Sequence, residues 1–176
     1  MRFVEAPLAG AYVIELDRHE DERGFFARTF CKDEFQRRGL ADEFVEHSIS
    51  YNRHRGTLRG LHYQSAPHGE AKLVRCTRGS VWDVIVDLRP LSNTRGRWYA
   101  TELSSANHRT LYVPREMAHG FQTLEDETEL YYLISTSYVS EAAAGVHWQD
   151  PTIAIEWPIL PPVLLSERDK SLPKFI

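Results

Sequence analysis

The stretch LRGLHYQ, residues 58–64, alternates like a half-buried β-strand. Strict alternation puts Leu58, Gly60, His62 and Gln64 on one face and Arg59, Leu61 and Tyr63 on the other. An imidazole and an amide then share a face with leucine, which an ordinary apolar core does not call for. Gly60 weakens the run and marks a candidate bulge, which would re-aim Arg59. A strand that turns polar groups inward belongs in a fold with a chamber between its sheets.

Similar runs recur on both sides of this one: AYVIEL (11–16), GFFARTF (24–30), FVEHSISY (44–51), KLVRC (72–76), SVWDVIVDL (80–88), RWYATEL (97–103), RTLYVP (109–114), GFQTL (120–124) and ELYYLI (129–134). Several are rich in Val, Ile, Tyr, Phe and Thr, the strand formers. Arg78-Gly79, Ser92-Asn93, Asp126 and several prolines punctuate them. One helix is predicted over 32–38, with Asp33 in its first turn, Phe35 inward and Gly39 just past its end. Many short strands with one or two minor helices predict an all-β jelly-roll sandwich or barrel, with residues 1–176 forming a single domain.

Composition narrows the function. The 176 residues are 42% hydrophobic and 26% charged, ordinary for a globular protein, and the net charge of −4 gives no general attraction to nucleic acid or membrane. No apolar run reaches the roughly 18 residues of a membrane span, and the N-terminus lacks the basic-then-apolar pattern of a secretion signal. The two cysteines, Cys31 and Cys76, form no disulfide framework or zinc pattern; two buried thiols in a cytoplasmic protein are expected.

Polar residues inside the strand runs are the candidates for chemistry. Lys72 shares a face with Val74 and Cys76, where an ammonium is costly unless it has a partner or a task. PREMAHGF (114–121) carries His119 after a proline turn, ELYYLISTSY (129–138) carries Tyr132 and Tyr138, and LSERDK (165–170) carries Asp169. Singly each has an ordinary reading: a snorkelling lysine, a packed tyrosine, a capping aspartate. Together they supply a base, a cation and an acid. A metal alternative exists as well. Small jelly rolls of the cupin type often hold a metal through His-x-His, Glu and a later His; here the order is His62-x-Gln64, Glu70, His119. Gln64 stands where the second histidine is needed, and Lys72 would repel a cation, so no metal and no other cofactor is expected.

At RGLHYQ, KLVRC, VDLRP, PREMAHGF and ISTSY the chain resembles the dTDP-4-dehydrorhamnose 3,5-epimerase family, and the resemblance runs from DERGFF (21–26) to LSERDK. It implies a cupin-like jelly roll, usually a homodimer, that works on a nucleotide sugar without metal or coenzyme. It also implies roles: His62 as catalytic base, Asp169 as its paired carboxylate, Lys72 as the cation beside the substrate's keto oxygen, Tyr132 as general acid. Tyr138 follows Tyr132 at the family's interval, and His119 matches a second pocket histidine. Arg59 and Arg23 match residues that grip the diphosphate, one of them supplied in the family by the partner subunit. Phe26, Arg28, Gln64 and Glu70 complete the expected substrate-binding set. Two departures fall near the nucleotide base. Arg28 stands where many members have Glu after RGFF, and FVEHSISYN replaces the usual Gln-x-Asn stretch with one residue more. These leave CDP-, GDP- or UDP-linked sugars, or inversion at C3 alone, as alternatives to a dTDP sugar inverted twice.

The residue types suit that chemistry. Hydrogens on both carbons flanking a 4-keto group are acidic, so a base, a charge at the developing oxyanion and an acid across the ring suffice for inversion. Imidazole is the side chain whose ordinary pKa lies nearest physiological pH, and a carboxylate behind it fixes its tautomer. An arginine fork fits diphosphate oxygens in pairs.

Overall fold

A computed structural model describes residues 1–176. It contains thirteen strands: β1 (Arg2–Glu5), β2 (Tyr12–Glu15), β3 (His19–Asp21), β4 (Gly24–Phe26), β5 (Glu46–Asn52), β6 (Leu58–Gln64), β7 (Lys72–Arg78), β8 (Ser80–Asp87), β9 (Trp98–Ser104), β10 (Thr110–Val113), β11 (Met117–Thr123), β12 (Thr128–Ile134) and β13 (Ala143–Gly145). Two short helices, α1 (Lys32–Gln36) and α2 (Glu167–Lys170), accompany them. One sheet has the order β1-β2-β10-β7-β12-β5, the other β13-β6-β11-β8-β9, and β3 and β4 form a separate hairpin. Each sheet's non-sequential neighbours are antiparallel. This is the expected all-β, cupin-like jelly roll.

Three apolar layers explain the strand patterns. Between the sheets lie Val13, Val74, Cys76, Val81, Ile85, Leu111, Met117, Phe121 and Leu130. Outside the five-stranded sheet, Leu58, Leu61, Val84, Val86 and Ala118 are covered by Val146, Ile153 and Trp157 from the C-terminal segment. Outside the six-stranded sheet, Ile14, Leu73 and Tyr112 are covered by Phe35 of α1, Phe3 and neighbours. Strand β8 is buried on both faces, so it reads as a nearly continuous apolar run. Helix α1 buries Phe35 as predicted but stops at Gln36, with Arg37 as its cap and Gly39 in the left-handed region at φ 66°.

The bulge at Gly60 is present and decides the site. On β11, His119 opposes His62 and Phe121 opposes Arg59, so two steps on one strand span three on the other. Leu58 and Leu61 therefore both face outward, while Arg59 and His62 both face the space between the sheets. Strict alternation had put them on opposite faces, with Leu58 beside His62. Gly60 has φ 129°, and a Cβ there would come within 2.6 Å of the Gly120 Cα. Only glycine permits the two strands to touch there.

Some expectations change. Cys31 is half-buried; only Cys76 is an interior thiol, its pKa pushed up to about 11 by burial. GFFARTF forms a strand only over β4, because the chain then leaves the hairpin for α1. Strands β1, β3 and β13 carried too little alternation to be foreseen.

Asp87 closes β8. Its carboxylate accepts hydrogen bonds from Arg89, Ser92 and Thr94. Burial alone would raise its pKa from 3.8, but these donors hold it well below the carboxylate range. A lowered native pKa contributes stability that is full above the ordinary value and is lost as pH falls through the native one. Asp87→Asn is accordingly expected to show a shallower decline of melting temperature than the parent between about pH 5 and 2. Parallel slopes in thermal melts would refute it.

Candidate active site

The inner face of the bulged strand opens onto a cleft at the β5 end of the sheets. One lobe, about 410 Å³, is lined by Ser48, Ser50, Arg59, His62, Lys72, His119, Phe121, Tyr132, Arg168 and Asp169. A second lobe, about 340 Å³, adds Glu46, Tyr63, Gln64, Glu70, Thr136 and Tyr138. His62, Lys72, Ser48, Ile134 and Arg168 border both. The predicted base, cation and acid thus share one cavity.

His62 points its Nε2 at Asp169 Oδ1, 2.6 Å away. Asp169 is 3% exposed and sits in α2, where its own N–H is received by the capping Ser166 Oγ. Its second oxygen accepts the Gly60 N–H at 3.2 Å, so the bulge also holds the carboxylate. Burial pushes the Asp169 carboxyl up; the bonds from His62 and Gly60 outweigh that and leave it lowered, hence ionised. An anion fixed behind the ring stabilises the imidazolium that proton abstraction would create.

Lys72 lies across from this pair. Its Nζ is 3.0 Å from Glu70 Oε1 and 3.3 Å from the His62 carbonyl oxygen, and the pair is almost wholly buried. Glu70 is therefore occupied in holding a cation. Gln64 spends its amide on the carbonyls of His68 and Ser137 and on the Val139 N–H, bracing the loops around the second lobe.

Tyr132 of β12 packs its ring edge-to-face with His119, centroids 5.8 Å apart. His119 Nε2 meets both oxygens of Asp83 at 3.0 Å. Burial raises the Tyr132 pKa well above the usual phenol value, the Asp83 carboxylate raises it further, and Arg59 opposes both. The cation that acts on this phenol is Arg59.

Comparisons with known proteins show the family. A family model described as dTDP-4-dehydrorhamnose 3,5-epimerase matches residues 5–176. The chain belongs to that family. A relative of that name from Methanothermobacter thermautotrophicus is 42% identical over 97% of this chain and 92% of its own. The crystal structure of the Elizabethkingia anophelis protein of that name superposes with a TM-score of 0.96 at 41% identity, covering 99% of this chain and 96% of the other. That of the Bacillus anthracis protein, with TDP and PPi bound, gives 0.94 at 38% identity, covering 99% of each. The chain is thus an isomerase, an epimerase by family.

Not every expected residue lies in the epimerase's cleft. Arg23 is 90% exposed at its side chain and paired with Asp21 at the tip of the β3–β4 hairpin. Phe26, 77% exposed, projects from the same hairpin, and Arg28 lies outside the cleft near Glu34 and Cys31. Tyr138 borders the second lobe, largely exposed. Conversely, Asp83 and Arg168 were missed. Asp83 hides in the apolar run VWDVIVDL, where a carboxylate flanked directly by Trp82 and Val84 was the available signal.

Proposed function

We propose that the epimerase inverts C3 and C5 of a dTDP-linked 4-keto-6-deoxy sugar, using these residues of the cleft in named roles. His62 takes the proton from the carbon beside the ketone, and the electron pair of that C–H bond moves to the C4 oxygen as an enolate. Lys72 offsets the negative charge there. Tyr132, kept as a neutral phenol by its surroundings, gives a proton to the opposite face of the same carbon, and solvent restores both groups afterwards. Arg59 grips the diphosphate. What carries the reading is the His62–Asp169 pair facing Lys72 and Tyr132 across one cavity. Run in deuterium oxide, the reaction should place label at both C3 and C5, read by NMR of the product. Label at C3 alone would make this a single-centre epimerase, and no label would remove the enolate.

The functional unit we propose is a homodimer in which each hairpin serves the other copy's cleft. Supporting it, the hairpin carries Arg23 and Phe26 away from its own cleft, and edge strand β5 with its neighbour Val45 exposes Ile49 and Tyr51. Cytoplasmic residence fits two cysteines that are unbonded. Arg23→Ala and His62→Asn proteins, each nearly inactive, should complement when co-expressed: a mixed dimer has one site with neither change. About a quarter of parental activity is expected from random pairing of a two-fold dimer. Mixed dimers without recovered activity would mean that Arg23 serves its own chain's cleft or none.

A further inference from the structure

Arg59 is held from behind. Its Nε donates to Asn52 Oδ1 at 2.7 Å, and one terminal nitrogen approaches the Tyr51 carbonyl at 3.4 Å. Asn52 ends β5, is 2% exposed, and is itself fixed: its Nδ2 donates to the Ser50 and Thr128 carbonyls at 3.2 and 3.4 Å. Arg59, by contrast, is solvent-accessible and lines the cleft. A guanidinium has five N–H donors in a rigid plane, so fixing the Nε edge fixes where the terminal fork points. No carboxylate forms an ion pair with it, so its charge stays available to a ligand.

We infer that Asn52 is a positioning residue for nucleotide-sugar binding: its side-chain oxygen clamps the Nε of Arg59 and so presents the arginine's terminal fork to the substrate diphosphate. The inference rests on Arg59 being the diphosphate grip. A neutral amide suits the task. Aspartate in its place would hold the same edge but neutralise the charge the diphosphate needs. Immobilising a long side chain before the ligand arrives also removes an ordering cost from binding.

The test is dTDP binding by calorimetry, with kcat and KM for the dTDP-linked 4-keto sugar, on Asn52→Ala, Arg59→Ala and the double variant. Arg59→Ala should weaken dTDP binding at least about tenfold, as loss of a charge-assisted contact does. Asn52→Ala should weaken it by roughly three- to tenfold, a neutral hydrogen bond's usual worth, with KM raised and kcat nearly unchanged. In the Arg59→Ala background the Asn52 change should cost nothing further. An equal loss in both backgrounds, or none in either, would overturn the clamp. If Arg59→Ala binds dTDP like the parent, the diphosphate role of Arg59 fails instead. Asn52 also ties β5 to β12, so melting temperatures accompany each measurement. Should the alanine protein not fold, Asn52→Ser, whose hydroxyl stops short of the Nε, takes its place in the cycle with the same expectations.

Discussion

His62→Asn is expected to lower turnover by at least about a hundredfold, the usual worth of a positioned general base, with little change in affinity for dTDP. Asparagine can still offer an N–H toward Asp169, so the carboxylate keeps a donor and the Gly60 N–H keeps its acceptor. What disappears is the group that takes the proton. Loss of solvent deuterium uptake should parallel loss of turnover at both carbons, since one base facing the cavity serves each. Turnover within tenfold of the parent would take the role from His62. The group to test next would be His119, which Asp83 orients in the way Asp169 orients His62.

Lys72→Ala is expected to lower turnover by about 10²–10³, as removal of an oxyanion donor does, with KM moving far less. The obvious variant has a second effect. Glu70 Oε1 loses its partner, and Oε2 is already buried without one, so a lone carboxylate remains in the interior. Breaking a buried pair costs roughly 3–5 kcal/mol of stability, enough to consume much of a domain's margin. Glu70→Gln combined with Lys72→Ala removes that orphaned charge. The double variant should recover melting temperature while turnover stays low. Recovery of turnover along with stability would mean that Lys72 serves the fold alone. A change in KM larger than the change in kcat would instead make it a phosphate ligand.

The strands and the central chemistry were legible in the sequence for one reason: in a sheet, polar residues at period two inside apolar runs must face something polar. His62 and Lys72 announced themselves that way, Tyr132 took its role from the family resemblance, and the cavity unites the three. Asp169 and His119 came through the family resemblance, since neither polar stretch has a periodicity of its own. The misses have physical causes as well. Alternation fails wherever a residue is inserted, so the faces of Leu58 and Arg59 came out reversed until the pairing of β6 with β11 was known. Asp83 was masked by the apolar residues of a doubly buried strand. Arg168 sits in the short helix α2, where no repeating pattern marks a side chain's direction. Arg23, Phe26 and Arg28 lie outside their own chain's cleft, because the β3–β4 hairpin and the segment after it lean away, and chain order holds no information about where a hairpin leans.

The contact between Gly60 and Gly120 works as a ruler. It sets how far Arg59 stands from His62 along the cleft, because the kink brings both positions round to the same side. A flat ribbon would present one of these two side chains to the cleft while hiding the other. On the roles proposed above, the spacing between the two is set by backbone, at a point where neither glycine carries a side chain.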